Sequence, residues 1–189
     1  MTDHQPQILV VINELDRLAE TRNDAWQVPR VEGELLHHIA LASGAKVIVE
    51  VGTSYGFSGL FWAMALKQTG GRLHTIDRDP KKFESSKATF ERAGLADVVT
   101  NYLGDAHEVL RSMPGDIDIA FIDADKPSCQ AFFDLLWPKI RVGGAVITDN
   151  ASTHKKELAG YIGTLRALPD ARSTEVAVGN GIEWTIKVV

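Results

Sequence analysis

Apolar residues recur along the chain at two spacings, and each spacing predicts one type of secondary structure. Near the N-terminus, Ile8, Val11 and Leu15 are three or four positions apart, which predicts an amphipathic helix over residues ~7–21. The polar segment TRNDAWQVPR follows, and a second helical pattern runs from Val31 to Ala42. The chain therefore begins with two helices joined by a polar linker.

Beyond these helices, short apolar runs alternate with helical patterns. Strand-like runs occur at 46–51, 72–77, 98–103, 117–123 and 144–149, and helix-like segments lie between them at ~57–68, 80–93, 106–112 and 127–140. Strands that are apolar on both faces are typical of a parallel sheet covered by helices on both sides. The alternation predicts right-handed βαβ units and a doubly wound, Rossmann-like α/β fold.

The C-terminal segment departs from this alternation. Leu158, Ile162 and Leu165 mark one more helical face, and the runs STEVAV and IEWTIKVV follow, separated only by Gly179-Asn180-Gly181. That spacing predicts a hairpin, so the mostly parallel sheet should end in an antiparallel pair. We expect residues 1–189 to form a single domain in which residues 1–28 are an N-terminal helix and linker.

Composition narrows the possible classes of protein. The 189 residues are 44% hydrophobic and 24% charged, and the net charge of -5 offers no general attraction to nucleic acid or to an anionic membrane. The N-terminus lacks a signal-peptide pattern and no apolar run could span a bilayer, so we expect a cytoplasmic protein. The single cysteine, Cys129, is expected to be a buried thiol, and the six histidines lack the spacing of metal ligands.

A glycine-rich turn joins the first predicted strand to the helix after it, in the sequence VEVGTSYGFSG at residues 49–59. Glycines permit a tight turn and close approach of a ligand to the backbone, and the helix N-terminus attracts an anion. A pyrophosphate, a phosphate or the methionine half of S-adenosylmethionine (SAM) could lie there. Ser54 stands where a G-x-G-x-x-G dinucleotide motif requires its second glycine, which disfavours an NAD-linked dehydrogenase.

Two aspartates follow the next two strands. Asp77 ends the second strand, where its carboxylate could accept hydrogen bonds from ribose hydroxyls; alternatively, it could cap the helix after Asp79-Pro80. Asp105, in Gly104-Asp105-Ala106, could help to line an adenine or could simply cap its own helix. Both alternatives are open on sequence alone.

Polar side chains also end the fourth and fifth strands. Asp123 lies in FIDADK, and Asp149-Asn150 lie in ITDN. These strand ends should be neighbours at the carboxyl edge of the sheet, where two carboxylates and an amide oxygen suit Mg²⁺ or Ca²⁺ rather than zinc. Lys126 is close enough in sequence to reach the same site, where it could act as a general base.

The motifs VEVGTSYGFSG, HTIDRDP, GDA, FIDADK and TDN, in this order, resemble those of the cation-dependent class I SAM O-methyltransferases, which include catechol and caffeoyl-coenzyme A O-methyltransferases. The resemblance runs from about Val28 to the end of the chain. It implies Lys126 as the catalytic base, Ser58 at the methionine carboxylate of SAM and Asp77 at the ribose. The metal ligands that it implies, for Mg²⁺ or for Ca²⁺ or Mn²⁺, are Asp123, Asp149 and Asn150. The full set expected to contact SAM is Glu50, Gly52, Thr53, Ser54, Tyr55, Gly56, Ser58, Asp77, Arg78, Asp105, Ala106, Asp123 and Asp125.

Three departures from the family pattern concern the acceptor pocket. Cys129 replaces an aromatic residue common in relatives, the segment ASTHKKE lacks a glycine-containing substrate loop, and the N-terminal region is brief. The expected reaction is methyl transfer to a small acceptor with adjacent hydroxyls, with no nucleic-acid or membrane partner and with a homodimer possible from the resemblance. The alternatives are methylation of a modified tRNA base and a SAM-binding module without catalysis.

Overall fold

The structure is a computed structural model and describes residues 5–189. The helices are α1 (Gln5–Thr21), α2 (Arg30–Ala42), α3 (Phe57–Thr69), α4 (Pro80–Arg92), α5 (Ala106–Ser112), α6 (Cys129–Leu136) and α7 (Lys155–Ala167). The strands are β1 (Val47–Val51), β2 (Arg72–Asp77), β3 (Val99–Leu103), β4 (Ile117–Ile122), β5 (Ile140–Thr148), β6 (Ala171–Val176) and β7 (Ile182–Lys187). No helix in the described range is long and apolar enough to cross a membrane.

The strands form one sheet in the order β3-β2-β1-β4-β5-β7-β6. Strands β1 to β5 pair in parallel, whereas β7 runs antiparallel to both β5 and β6. The predicted doubly wound sheet with an antiparallel C-terminal hairpin is therefore confirmed. The direction of winding reverses between β1 and β4, and this switch point is where open α/β sheets bind ligands.

The apolar strands pack against helices on both faces. Ile48 belongs to a cluster with residues of α1 to α4, and its neighbour Val49 belongs to a second cluster with residues of α5 to α7. Successive side chains of a strand point to opposite faces, so a strand buried on both sides has to be continuously apolar. On the first face, the rings of Trp62 on α3 and Phe121 on β4 meet edge to face with centroids 5.7 Å apart.

The prediction of one helix over residues 127–140 is wrong in detail. The α-helical part is α6 alone, and single 3₁₀ turns precede it at Lys126–Ser128 and follow it at Trp137–Lys139. Pro127 and Pro138 explain the breaks, because proline lacks an amide hydrogen and its ring disfavours the preceding helical turn. Strand β5 consequently begins at Ile140, earlier than the predicted residue 144.

Backbone hydrogen bonds continue the sheet beyond its strands and align the residues that follow them. The amide of Asp123 donates to the carbonyl of Val51 at 2.9 Å, and the amide of Asp149 donates to the carbonyl of Ile122 at 3.0 Å. The amide of Gly52 bonds in the same way to the end of β2 at 3.0 Å. The ends of β1, β4 and β5 therefore present their polar residues at one edge.

Candidate functional site

An open cleft of about 930 Å³ lies at this edge of the sheet. It is bounded by the loops that follow β1 to β5 and by the linker between α1 and α2. The predicted site residues in its wall are Gly52, Ser54, Asp77, Arg78, Asp105, Ala106, Asp123, Asp125, Lys126, Asp149 and Asn150. Residues from five separate loops thus meet in one cleft.

The turn after β1 is built on backbone conformations that favour glycine. Gly52 has a φ of +103°, and a Cβ atom there would lie 1.9 Å from the carbonyl oxygen of Asp123. Gly56 has a φ of +89° and is the N-cap of α3. The missing side chains let the turn lie directly against the end of β4, so the predicted turn and the acidic residues share one wall.

Asp77 holds the turn in place through backbone groups. Its Oδ2 accepts the amide of Ser54 at 2.7 Å, and its Oδ1 accepts the amide of Asp79 at 2.9 Å. The cap of α4 is Asp79, which accepts the amides of Lys81 and Lys82. The alternative that Asp77 caps this helix is therefore wrong, and its carboxylate faces the cleft.

Asp105 caps α5 and also lines the cleft, so the capping alternative is confirmed and the adenine contact stays a prediction. Its Oδ1 accepts the His107 amide at 2.8 Å, and this hydrogen bond lowers the pKa of the carboxyl. His107 and His154 also line the cleft, which histidine spacing did not predict. His4 lies outside the described residues.

Five predicted SAM contacts are not among the residues that line the cleft: Glu50, Thr53, Tyr55, Gly56 and Ser58. The fully buried Glu50 carboxyl accepts the hydroxyls of Ser58 at 2.7 Å and Thr75 at 2.6 Å. Thr53 extends this chain to Thr75, with hydroxyl oxygens 2.5 Å apart. Burial raises the pKa of Glu50 to about 7 despite these hydrogen bonds. In this structure, the network supports the turn from inside the protein.

Negative charge is concentrated at the ends of β4 and β5. Burial, followed by the charge of Asp149, raises the pKa of Asp123 to about 8. The pKa of Asp149 is raised to about 7, mainly through burial. Lys126 lies beside them, with Nζ 3.7 Å from Asp123 Oδ1 and donating to the carbonyl of Ala124 at 3.0 Å. Asn150 has a φ of +67°, and its amide donates to Asp149 Oδ1 at 2.5 Å.

Two further polar residues at this end of the cleft were not predicted. Glu32 on α2 is completely buried, and its Oε2 accepts the backbone amide of Asn180 at 2.8 Å. Asn180 lines the cleft, and its Nδ2 lies 3.5 Å from Asp149 Oδ2. A sequence signal existed for Glu32, since it is four positions before Leu36 on the apolar face of α2. Nothing local to Asn180 distinguished it from an ordinary hairpin residue.

The linker residue Trp26 borders the cleft. It is 76% exposed, and Lys82 Nζ lies 5.0 Å from the centre of its ring. Cys129, in contrast, is completely buried, and burial raises its thiol pKa to about 11. The expectation of a buried thiol is confirmed, and a high pKa makes this cysteine a poor nucleophile.

Across residues 5–189, no three His, Cys, Asp or Glu side chains are grouped as a metal site. The predicted ligand set is of another composition, with two carboxylates and the amide of Asn150. The sheet order and a cleft at the switch point define the class as Rossmann-like α/β proteins with a ligand site at the strand ends.

Comparison with known proteins narrows this class. Residues 4–160 match the family model described as O-methyltransferase. A catechol O-methyltransferase from Niastella koreensis is 34% identical over 165 residues, covering 85% of this chain and 69% of that protein. A catechol O-methyltransferase from Mycobacterium tuberculosis is 33% identical over 134 residues, covering 68% of this chain and 60% of that protein. The chain belongs to the O-methyltransferase family, and the predicted enzyme class, a SAM-dependent O-methyltransferase, is confirmed.

Solved structures agree with the family match. The O-methyltransferase from Bacillus cereus in complex with SAH superposes with a TM-score of 0.85 at 25% identity, covering 94% of this chain and 90% of that one. The O-methyltransferase TomG from Streptomyces achromogenes, in complex with SAM, has a TM-score of 0.82 at 24% identity, covering 100% and 91%. The second similarity, at this identity, supports the fold alone.

Proposed function

We propose that this protein transfers the methyl group of SAM to one hydroxyl of a small catechol-like acceptor that carries two adjacent hydroxyls, in a reaction that depends on a divalent cation. The observation that carries the proposal is the meeting of Asp123, Asp149 and Lys126 in the same cleft as Asp77 and the Gly52 turn. Two relatives named catechol O-methyltransferase support the choice of acceptor.

The charge of the cleft suits a cationic sulfonium compound. Its wall contains three Lys or Arg side chains, Arg78, Lys82 and Lys126. The carboxylates in the same wall are Asp77, Asp105, Asp123, Asp125, Asp149 and Glu157. This excess of acidic over basic side chains favours a positively charged ligand, whose charge would also help Asp123 and Asp149 to ionise. We assign the ribose hydroxyls to Asp77, whose oxygens each accept one backbone amide and retain a lone pair. The assignments of Ser58 and of the other residues outside the cleft wall stay predictions.

The acidic end of the cleft suits a divalent cation. Burial, followed by the charge of a neighbouring carboxyl group, raises the pKa values of Asp123 and Asp149 to about 8 and about 7, so a bound cation would favour their ionised forms. Hard oxygen donors of this kind fit Mg²⁺, Ca²⁺ or Mn²⁺, and Asn150 would supply the third protein ligand. When bound, such a cation lowers the pKa of a coordinated hydroxyl and fixes its orientation.

Lys126 is the residue that we assign to proton transfer. Its side chain is only 12% exposed, and its contacts with Asp123 and the Ala124 carbonyl orient Nζ within the acidic end of the cleft. There Nζ accepts the proton of the attacking hydroxyl, whose oxygen forms the new bond to the methyl carbon as the carbon–sulfur bond breaks. Much of the acceleration comes from holding the two reacting atoms in line and in contact.

Methyl transfer from labelled SAM to paired acceptors tests this proposal. We expect transfer to catechol and caffeoyl compounds, and at least about 100-fold slower transfer to the matched phenols with one hydroxyl. Equal rates for both would refute the vicinal-diol acceptor. Label incorporated into tRNA would favour the RNA alternative, and SAM binding without transfer to any acceptor would favour the non-catalytic module.

A further inference from the structure

Glu32 is a buried carboxylate outside the predicted ligand set. It lies on α2, is 0% exposed, and only its Oε2 is engaged, through the backbone amide of Asn180 at 2.8 Å. Within the described part of the chain, Oε1 has no hydrogen-bond partner. A buried carboxylate oxygen without a donor is costly, so its retention calls for a compensating group.

Asn180 lies between this carboxyl group and Asp149, because it contacts both of them. Burial, followed by the charge of Glu32, raises the pKa of Asp149, so the two groups interact electrostatically. Two adjacent buried carboxylates repel each other unless positive charge offsets them. A cation at Asp149 would supply that charge to both groups.

The hairpin turn between β6 and β7 connects Glu32 to Asp149. The side-chain Nδ2 of Asn180 lies 3.5 Å from Asp149 Oδ2. The backbone carbonyl of Asn180 accepts the amides of Ser152 at 3.1 Å and Thr153 at 3.2 Å. A Cβ atom at Gly181 would lie 2.0 Å from the Ser152 hydroxyl oxygen, so the turn fits closely against this segment. The turn, α2 and the end of β5 thus form one packed unit.

We propose that Glu32 is a positioning residue for the cation site, where it orients Asp149 through the Asn180 turn and adds its negative charge. The inference rests on the proposed function, because it assumes a cation at Asp149. It extends that function by adding a residue from α2, which is distant in sequence from both acidic strand ends. Substitution of a residue that hydrogen-bonds to a metal ligand typically weakens metal affinity by about 10- to 100-fold.

Mn²⁺ binding, measured by electron paramagnetic resonance and by calorimetry without acceptor, tests the assignment. Glu32→Gln keeps an oxygen that can accept the Asn180 amide but removes the charge, so we expect about tenfold weaker Mn²⁺ binding and an unchanged melting temperature. The control is Glu34→Gln on the same helix, where the side chain is 53% exposed and pairs with Arg30 at 3.4 Å. Its Mn²⁺ affinity should stay within about twofold.

The possible outcomes separate this inference from the function on which it rests. A Mn²⁺ affinity of Glu32→Gln equal to that of the natural protein would overturn the positioning role. Weaker Mn²⁺ binding that merely accompanies a lower melting temperature would overturn it too. Asp149→Asn tests the site itself. If the natural protein binds no Mn²⁺, or if Asp149→Asn binds it equally well, the proposed cation site fails and the role of Glu32 fails with it.

Discussion

Replacing Gly52 with alanine would put a methyl group into space that the backbone of Asp123 occupies. The added Cβ would lie 1.9 Å from the Asp123 carbonyl oxygen and 2.8 Å from its carbonyl carbon. Neither atom can move away by a change of rotamer, because both belong to the backbone at the end of β4. The substitution therefore forces the turn after β1 and the end of β4 apart.

The size of the effect follows from two costs. A non-glycine residue held at a φ of +103° costs about 1 to 3 kcal/mol, and overpacking a closely fitted site costs about the same again. Together they predict a loss of about 2 to 6 kcal/mol, compared with about 5 to 15 kcal/mol for the stability of a typical domain. The variant should fold, but with Asp123 displaced from the turn.

Urea unfolding and calorimetry with SAH measure the two consequences of Gly52→Ala. We expect the stability loss given above and at least about tenfold weaker SAH binding, since small displacements in a preorganised site are costly. Gly160→Ala is the matched control, because a Cβ at this position in α7 would contact nothing within 4 Å. It should stabilise the protein by about 1 kcal/mol. Natural stability and SAH affinity in Gly52→Ala would refute this reasoning.

Three further predictions concern single side chains. Burial raises the pKa of Glu50 to about 7, so the stability that its protonated form contributes is complete below about pH 4.5 and is lost as the pH rises through 7. Measured by urea unfolding without metal, the stability of Glu50→Gln should therefore rise relative to that of the natural protein by on the order of 2 kcal/mol between pH 5 and pH 8. A difference that stays constant over this range would contradict the burial argument. Arg166 donates two hydrogen bonds to the buried Glu183 carboxylate, from Nε at 2.7 Å and from Nη2 at 2.6 Å. Arg166→Ala should therefore lower the free energy of unfolding by about 2 kcal/mol, because it leaves a buried charge unpaired, and adding Glu183→Gln should recover part of that loss. No loss in the single variant would show that the pair is unimportant for stability. Lys126→Met should lower kcat by about 100-fold or more with SAH affinity unchanged, whereas a normal kcat would exclude Lys126 as the base.

The residues that sequence could predict are those whose chemistry lies next to a strand end. Asp77, Asp123 and Asp149 each follow an apolar run, and parallel strands bring such ends to one edge of the sheet. Gly52 could be predicted as part of a turn for a related reason, since glycine next to a strand end indicates an unusual backbone conformation. For these residues, the fold class alone determines the neighbourhood of the side chain.

The remainder depends on tertiary packing that has no local signal. Asn180 and Glu32 are 148 positions apart, and their hydrogen bond forms only when the hairpin packs on α2. Glu50 appears in the sequence as part of a binding motif, but its side chain is directed into the core by the alternation of β1 and is held there by Ser58. The apolar spacing also predicted one continuous helix across the prolines beside α6, because it carries no information about a missing amide hydrogen.

The central claim is cation-dependent O-methyl transfer in the cleft at the ends of β4 and β5. Its most direct test is methyl transfer from labelled SAM to catechol with Mg²⁺ and with EDTA, using the natural protein, Asp149→Ala and the control Asp134→Ala, which alters an exposed residue of α6 outside the cleft wall. We predict transfer with Mg²⁺ in the natural protein and the control, and a loss of at least about 100-fold with EDTA or in Asp149→Ala. Transfer that persists in EDTA and in Asp149→Ala would contradict it.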